Sequence, residues 1–132
     1  MILVDSNVLI DLMRNDPRWA DWSLQQLRLA KAQDKLAINA VIYAEIAVGY
    51  ASADDLDAFL QPAGISLQPI SAQSAFLASQ AFMAYRKAKG VKNGVLPDFF
   101  IGAQAKVEGW RLLTRDAARY RTYFPGLELI CP

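Results

Sequence analysis

The sequence contains no histidine. That excludes serine–histidine and cysteine–histidine nucleophile pairs, histidine acid–base pairs and histidine metal sites. It has a single cysteine, Cys131. One thiol forms neither an internal disulfide nor a cysteine metal cluster, and nothing in its usage points to an oxidising compartment. No basic N-terminal region leads into a long apolar run with a small-residue cleavage site, so no signal peptide is expected. The most apolar stretch, 36–51, carries Asn39 and Glu45 and is too short to span a bilayer comfortably. A cytoplasmic chain without a membrane partner is the expectation. The enzymatic options left are carboxylates holding hard cations, an aspartate nucleophile, or lysine and tyrosine chemistry.

The chain is 132 residues long and 54% apolar, with three Trp, five Tyr and six Phe. That suits one compact domain over 1–132 with a core that needs no covalent staples. Net charge is only +1, which says nothing about partners, but its distribution is uneven. Residues 1–85 hold five basic and nine acidic groups, and residues 86–132 hold nine basic and four acidic. Arg86, Lys87, Lys89 and Lys92 precede Asp98, and Arg111, Arg115, Arg119 and Arg121 surround Asp116. A basic margin around an acidic pocket suits a phosphate polymer, and an ordinary solvated surface accounts for it equally well.

Short apolar runs alternate with helical patterns. Strands are expected at Met1–Val4, Leu36–Asn39, Ile65–Ile70, Trp110–Thr114 and Leu127–Ile130. Pro69 marks the third as an edge strand. Helices are expected at Ser6–Arg14, after the Asp16-Pro17 cap with Trp19, Trp22, Leu24, Leu27 and Leu29 at helical spacing, at Val41–Tyr50, and at Asp54–Leu60 behind Ser52. Ser71 caps a long helix to about Lys89, with Phe76, Leu77, Phe82 and Met83 expected inward. A loop at Gly90–Gly94, a helix Phe99–Glu108 opened by Asp98 and closed by Gly109, and a short helix Ala117–Tyr123 complete the chain. The alternation implies a three-layer α/β/α fold around a mainly parallel sheet of about five strands. Ligands of such sheets bind beyond the carboxyl ends of the strands, where Asp5 and Asp116 fall.

Four acids stand out. Asp5 follows Ile2-Leu3-Val4, Asp98 follows Leu96-Pro97, and Asp116 lies just past the fourth strand; each is also a good helix cap. Glu45 is different. At helical spacing its neighbours are Val41, Ile42, Val48 and Gly49, an apolar face on which an ionised carboxylate needs a cation or a buried arginine. A cluster of unpaired carboxylates repels itself, and a hard divalent cation such as Mg²⁺ or Mn²⁺ removes that repulsion. Ser6, Asn7 and Thr114 lie beside Asp5 and Asp116, placed either to orient carboxylates or simply to cap helices.

Four segments resemble the motifs of PIN domains: Leu3-Val4-Asp5-Ser6-Asn7-Val8-Leu9-Ile10; Ala44-Glu45-Ile46 with Gly49; Leu96-Pro97-Asp98-Phe99-Phe100-Ile101-Gly102-Ala103 with Ala105; and Leu113-Thr114-Arg115-Asp116 with Tyr120. They run in order from residue 3 to about 124. The chain looks most like the VapC toxins of toxin–antitoxin pairs. That resemblance implies a Mg²⁺- or Mn²⁺-dependent endoribonuclease, a homodimer, and inhibition by a VapB-like antitoxin. It also implies that Asp5, Glu45, Asp98 and Asp116 hold the metal, which activates water against a phosphodiester. The chain departs from the pattern at Phe99-Phe100, where small or aliphatic residues are also common, and at Asn39, where many relatives carry Ser or Thr.

Two rival readings stand beside it. Asp5-Ser6-Asn7-Val8 faintly resembles the first motif of haloacid-dehalogenase-like phosphohydrolases, with Asp5 as nucleophile, but Asn7 stands where their second aspartate is expected. A non-catalytic module that holds RNA or protein is the other; the four acids argue against it.

Overall fold

The structure is a computed structural model that describes residues 1–88 and 95–132. The expected loop at 90–94, with Lys89 and Lys92, lies outside the described residues. In chain order the elements are β1 (Ile2–Val4), α1 (Ser6–Met13), α2 (Ala20–Gln33), β2 (Leu36–Ile38), α3 (Ala40–Ala47) and α4 (Ala53–Leu60), then β3 (Ile65–Leu67), α5 (Ala72–Lys87), α6 (Leu96–Glu108), β4 (Arg111–Leu113), α7 (Ala118–Tyr123) and β5 (Leu129–Ile130).

The five strands form one all-parallel sheet in the order β3-β2-β1-β4-β5. The chain runs outward from β1 through β2 to β3, then returns to the other side of β1 for β4 and β5. The order therefore reverses between β1 and β4, and the carboxyl ends there open a crevice. β1 and β2 are buried on both faces, every residue 0–1% exposed, as a parallel strand between helices requires. β3 is the edge strand that Pro69 foretold.

The turns follow their chemistry. Ser52 Oγ accepts from the backbone N–H of Asp55 at 3.1 Å, and Ser71 Oγ accepts from that of Ser74 at 3.0 Å. Gly109 ends α6 in the left-handed conformation at φ 69°, which a side chain disfavours.

Three expectations fail in instructive ways. α5 turns Ser74, Ala78 and Ala81 inward, while Phe76 and Met83 are exposed. Small residues let α5 lie close against α6, its most extensive partner, and that closeness excludes the large side chains from the seam. In α2 the buried face is Ala20, Ser23, Leu27 and Ala30, leaving Leu24 and Leu29 outside. Asp16 does cap a turn, accepting from the N–H groups of Arg18 and Trp19 at 2.8 and 2.9 Å, but the helix starts only at Ala20. Asp98 is no helix cap either. α6 begins two residues earlier, at Leu96, with Val95 as the capping position and Pro97 in the first turn. The side chain of Asp98 is thereby released for other work.

Candidate metal centre

Asp5 sits where β1 ends and α1 begins, between the two central strands, and is 3% exposed. Its backbone is extended, yet its carboxylate does not cap α1. It accepts side-chain hydrogen bonds instead. Oδ2 takes the Thr114 hydroxyl at 2.8 Å, the Tyr120 hydroxyl at 2.8 Å and Asn7 Nδ2 at 3.3 Å. Oδ1 has a single long contact, from Ser6 Oγ at 3.4 Å. One oxygen is thus saturated by donors from α1, the end of β4 and α7, and the other keeps its lone pairs on the side facing Ser6. Burial raises the Asp5 pKa; the bonds from Thr114, Tyr120 and Ser6 oppose it.

Ser6 ties Asp5 to the second acid, its hydroxyl meeting Glu45 Oε1 at 2.9 Å. Glu45 is carried by α3, whose start is fixed by Asn39. That residue accepts from the Ile42 N–H at 2.9 Å, and its own amide donates to Gln104 Oε1 at 2.8 Å. Gln104 in turn donates to the Pro69 carbonyl at 3.0 Å. This buried chain of amides joins β2, α3, α6 and the segment after β3. No arginine pairs with Glu45 among the described residues. The surrounding face is less buried than the spacing implied: Ile42 and Ile46 face the core, but Val48 is 84% exposed. Glu45 therefore stands on the rim of the crevice, half-buried. Burial raises its pKa, with the Ser6 bond opposing and the charge of Asp5 adding to the rise.

Asp98 occupies the first turn of α6, anchored by the neighbouring Phe99, which is fully buried among Phe82, Tyr85, Tyr123 and Phe124. Burying such a ring stabilises by about 1.5–3 kcal/mol, so the aromatic residue that departs from the family pattern is what holds Asp98 in place. The carboxylate is ion-paired with Arg119 Nη1 on α7. Its pKa is raised to about 6, chiefly by burial and then by the charge of Asp5, against the pull of Arg119. Burial outweighs the contacting guanidinium, and the charges of Asp5 and Glu45 add to the rise.

Asp116 is placed apart. It lies in the turn after β4, exposed, and its backbone N–H donates to Thr114 Oγ1 at 3.1 Å. Its carboxylate makes no hydrogen bond or ion pair among the described residues, and it does not cap α7. The structure thus gathers Asp5, Glu45 and Asp98 around one crevice, with Asp116 at its margin. Among the described residues no three acids yet converge closely enough to enclose a cation. Asp98 is turned toward Arg119, and Ser6 stands between Asp5 and Glu45.

The turn bearing Thr114 and Asp116 is braced from behind. Arg115 Nε pairs at 2.8 Å with Asp11, which is 2% exposed and also accepts from Ser23 Oγ at 3.0 Å. The guanidinium lies 5.6 Å from the Trp19 ring centre. Asp11, Tyr120 and Gln104 were not singled out as site residues from the sequence. Tyr120 stood within the fourth motif; Asp11 and Gln104 carry no local signal.

A family model described as PIN domain matches residues 2–125. The chain belongs to the PIN domain family. It is 31% identical to Ribonuclease VapC10 of Mycobacterium tuberculosis over 132 residues, all of this chain and 92% of that protein. Two solved structures share its fold. The VapBC2 complex from Rickettsia felis, bound to a DNA fragment from its promoter, contains a chain with TM-score 0.76 at 20% identity, covering 100% of this chain and 99% of that one. VapBC-1 from nontypeable Haemophilus influenzae gives 0.70 at 20% identity, over 99% and 98%. Within this PIN fold the first and fourth motifs lie at the carboxyl ends of β1 and β4, the third opens α6, and the second lies at the closing end of α3. No helix among the described residues is long and apolar enough to cross a membrane.

Proposed function

We propose that the chain is a Mg²⁺- or Mn²⁺-dependent endoribonuclease and the toxin of a VapC-type toxin–antitoxin pair. The observation that carries the catalytic half is that Asp5 and Glu45 lie near enough to Asp98 for their charges to raise its pKa, with Arg119 the one ion-paired cation beside these acids among the described residues. The acidic donors here are carboxylate oxygens, which favour a hard cation; the sequence has no histidine, and its one cysteine, Cys131, lies in the C-terminal segment after β5. Asp5 Oδ1, with its free lone pairs, and the carboxylates of Glu45 and Asp98 would hold the cation, with Asp116 close enough in sequence to Thr114 to join them. When bound, the cation supplies Lewis-acid activation of water and charge neutralisation at the phosphate.

The chain's own residues supply the rest. Thr114, Tyr120 and Asn7 fix the orientation of Asp5. Glu45, whose Oε1 is occupied by Ser6, keeps Oε2 for a proton from the attacking water. The similarity to Ribonuclease VapC10 supports RNA as the substrate, and the VapBC complexes among the structural relatives support a VapB-like antitoxin as partner; a cytoplasmic homodimer belongs to the same reading.

The test is cleavage of tRNA and ribosomal RNA with Mg²⁺ by the wild type, D5N and D98N. Metal-dependent cleavage lost in both variants is expected; full activity in both sinks the reading. The phosphoaspartate alternative predicts a covalent adduct at Asp5 with a phosphomonoester, visible by mass spectrometry.

A further inference from the structure

The structure describes three ion pairs, and only one of them touches the acidic crevice. Arg119 pairs with Asp98 and is about one-third exposed. It has a second anchor: its guanidinium lies 5.6 Å from the centre of the Tyr85 ring. That ring is itself packed against Phe99 at 5.4 Å and Tyr123 at 5.7 Å, so it is a fixed platform. Arg115, the other ion-paired arginine near these acids, is committed to buried Asp11 and the Trp19 ring, and Arg14 lines the cavity beside Glu45 with no ion pair among the described residues. Arg119 is therefore the ion-paired guanidinium free to change partners without leaving the site.

Arg119 holds Asp98 through Oδ2 alone, so a divalent cation at this carboxylate would compete with the guanidinium through the repulsion of two cations at short range rather than for the same lone pairs. Once Asp98 turns to the metal, Arg119 keeps its place on Tyr85 but loses its anion. A planar guanidinium so placed has its donors arrayed for phosphate oxygens. Resting on the metal reading above, we infer that Arg119 is an exchange residue: it neutralises Asp98 while the crevice holds no divalent cation, and it takes a phosphate oxygen of RNA once a cation claims Asp98. Metal binding and substrate binding are then coupled through one side chain. The order is built in, since the arginine becomes available only when the metal is in place.

The experiment measures Mn²⁺ binding alone by calorimetry on the full chain, for wild type, R119Q, R119K and D5N. Binding of a short mixed-sequence RNA is then followed by fluorescence anisotropy, with and without Ca²⁺ to limit cleavage. R119Q is expected to bind Mn²⁺ about 5- to 10-fold more tightly than wild type, because a competing cation is gone. The gain in RNA affinity on adding Ca²⁺ is expected to be about fivefold or more in wild type and nearly absent in R119Q. R119K, which keeps a charge on α7 without the planar fork, should show near wild-type Mn²⁺ affinity and a reduced RNA gain. It serves as the readout if R119Q does not fold. Tighter metal binding in R119Q shows that a cation competes at Asp98; the loss of the Ca²⁺-dependent gain in RNA affinity is the readout that a merely structural arginine would not move. Mn²⁺ affinity unchanged or weakened in R119Q, with wild type and D5N differing as a metal site requires, overturns the exchange alone. No Mn²⁺ binding by wild type overturns the metal reading and the exchange with it.

Discussion

The Tyr120 hydroxyl donates to Asp5 Oδ2 at 2.8 Å across 115 positions of sequence, and both residues are buried. This bond closes α7 onto the end of β1 and leaves Oδ1 as the carboxylate oxygen with unused lone pairs. Burial together with the charges of Asp5 and Asp98 pushes the Tyr120 pKa well above its ordinary value, so the phenol stays a donor at every working pH.

Y120F removes that donor and little volume. Asp5 Oδ2 keeps Thr114 and Asn7 but loses one of its two short bonds. A stability loss of about 1–2 kcal/mol is expected, read as a lower urea midpoint with an unchanged slope. Loss of a group that orients a ligand costs about 10-fold or more in metal affinity, which Mn²⁺ calorimetry on the same protein measures. A variant with wild-type values in both would mean that Tyr120 neither supports nor orients Asp5.

Gly102 and Gly49 both belong to motif segments, yet their neighbours predict opposite outcomes. A Cβ at Gly102 would lie 2.5 Å from the Phe124 ring and 3.1 Å from that of Tyr120. Those rings are buried and cannot retreat, so G102A should cost about 1–3 kcal/mol and displace Tyr120 from Asp5. At Gly49 the obstacle is the terminal methyl of Met13 at 2.1 Å, the far end of a flexible chain. G49A should stay within about 0.5 kcal/mol of wild type. Thermal unfolding of the pair, alongside RNA cleavage, separates the two cases.

The raised pKa of Asp98, about 6, and the raised values of Asp5 and Glu45 make metal-free stability depend on pH. A group whose folded pKa exceeds its unfolded value stabilises fully below the unfolded value, near 4. That contribution is lost as pH rises through the folded value. The metal-free chain should therefore lose stability between about pH 4 and pH 6 on account of these acids. Asp16 and Asp34, whose pKa values are lowered by hydrogen bonds, act only below this window. Saturating Mg²⁺ should raise Tm more at pH 7.5 than at pH 5, by up to about 2.7 kcal/mol of added stability at a hundredfold excess over Kd. D98N should flatten the pH 4–6 slope and reduce the Mg²⁺ effect. Equal Mg²⁺ shifts at both pH values would contradict the assignment.

What the sequence revealed and hid follows from the range of each interaction. Strand and helix identity rest on local period and capping, and the elements appear within a few residues of where Ser52, Ser71 and Gly109 placed them. The inward face of α5 was misjudged because Phe76 and Met83 carry the hydrophobic signal, while close packing against α6 is decided by the smallness of Ala78 and Ala81. Asp5 and Glu45 were legible as acids in apolar surroundings. Asp98 was legible as a candidate ligand, but the start of its helix was placed late, at Phe99, because Leu96-Pro97 resembles a helix approach, whereas Pro97 lies inside the first turn. The Arg119 pair with Asp98 and the Asn39–Gln104 link join residues 21 and 65 positions apart. No periodicity encodes such pairs; only the folded sheet brings them together.

Asn39 and Gln104 yield a prediction that separates capping from bracing. N39S keeps a side-chain oxygen for the Ile42 N–H, so the start of α3 survives, but it leaves Gln104 Oε1 without its 2.8 Å donor. Q104L strands the buried Asn39 amide and removes the donor to the carbonyl of exposed Pro69, and should cost about 1–3 kcal/mol. Because the two share one bond, their effects should not add: the double variant is expected to be more stable than the sum of the singles by about 1–2 kcal/mol. α3 carries Glu45, so loosening its entry should also weaken Mn²⁺ binding in Q104L more than in N39S. Additive stability losses in a double-mutant cycle would show that the amide chain does not link β2 to α6, and that Glu45 is held by the Ile42 and Ile46 core contacts alone.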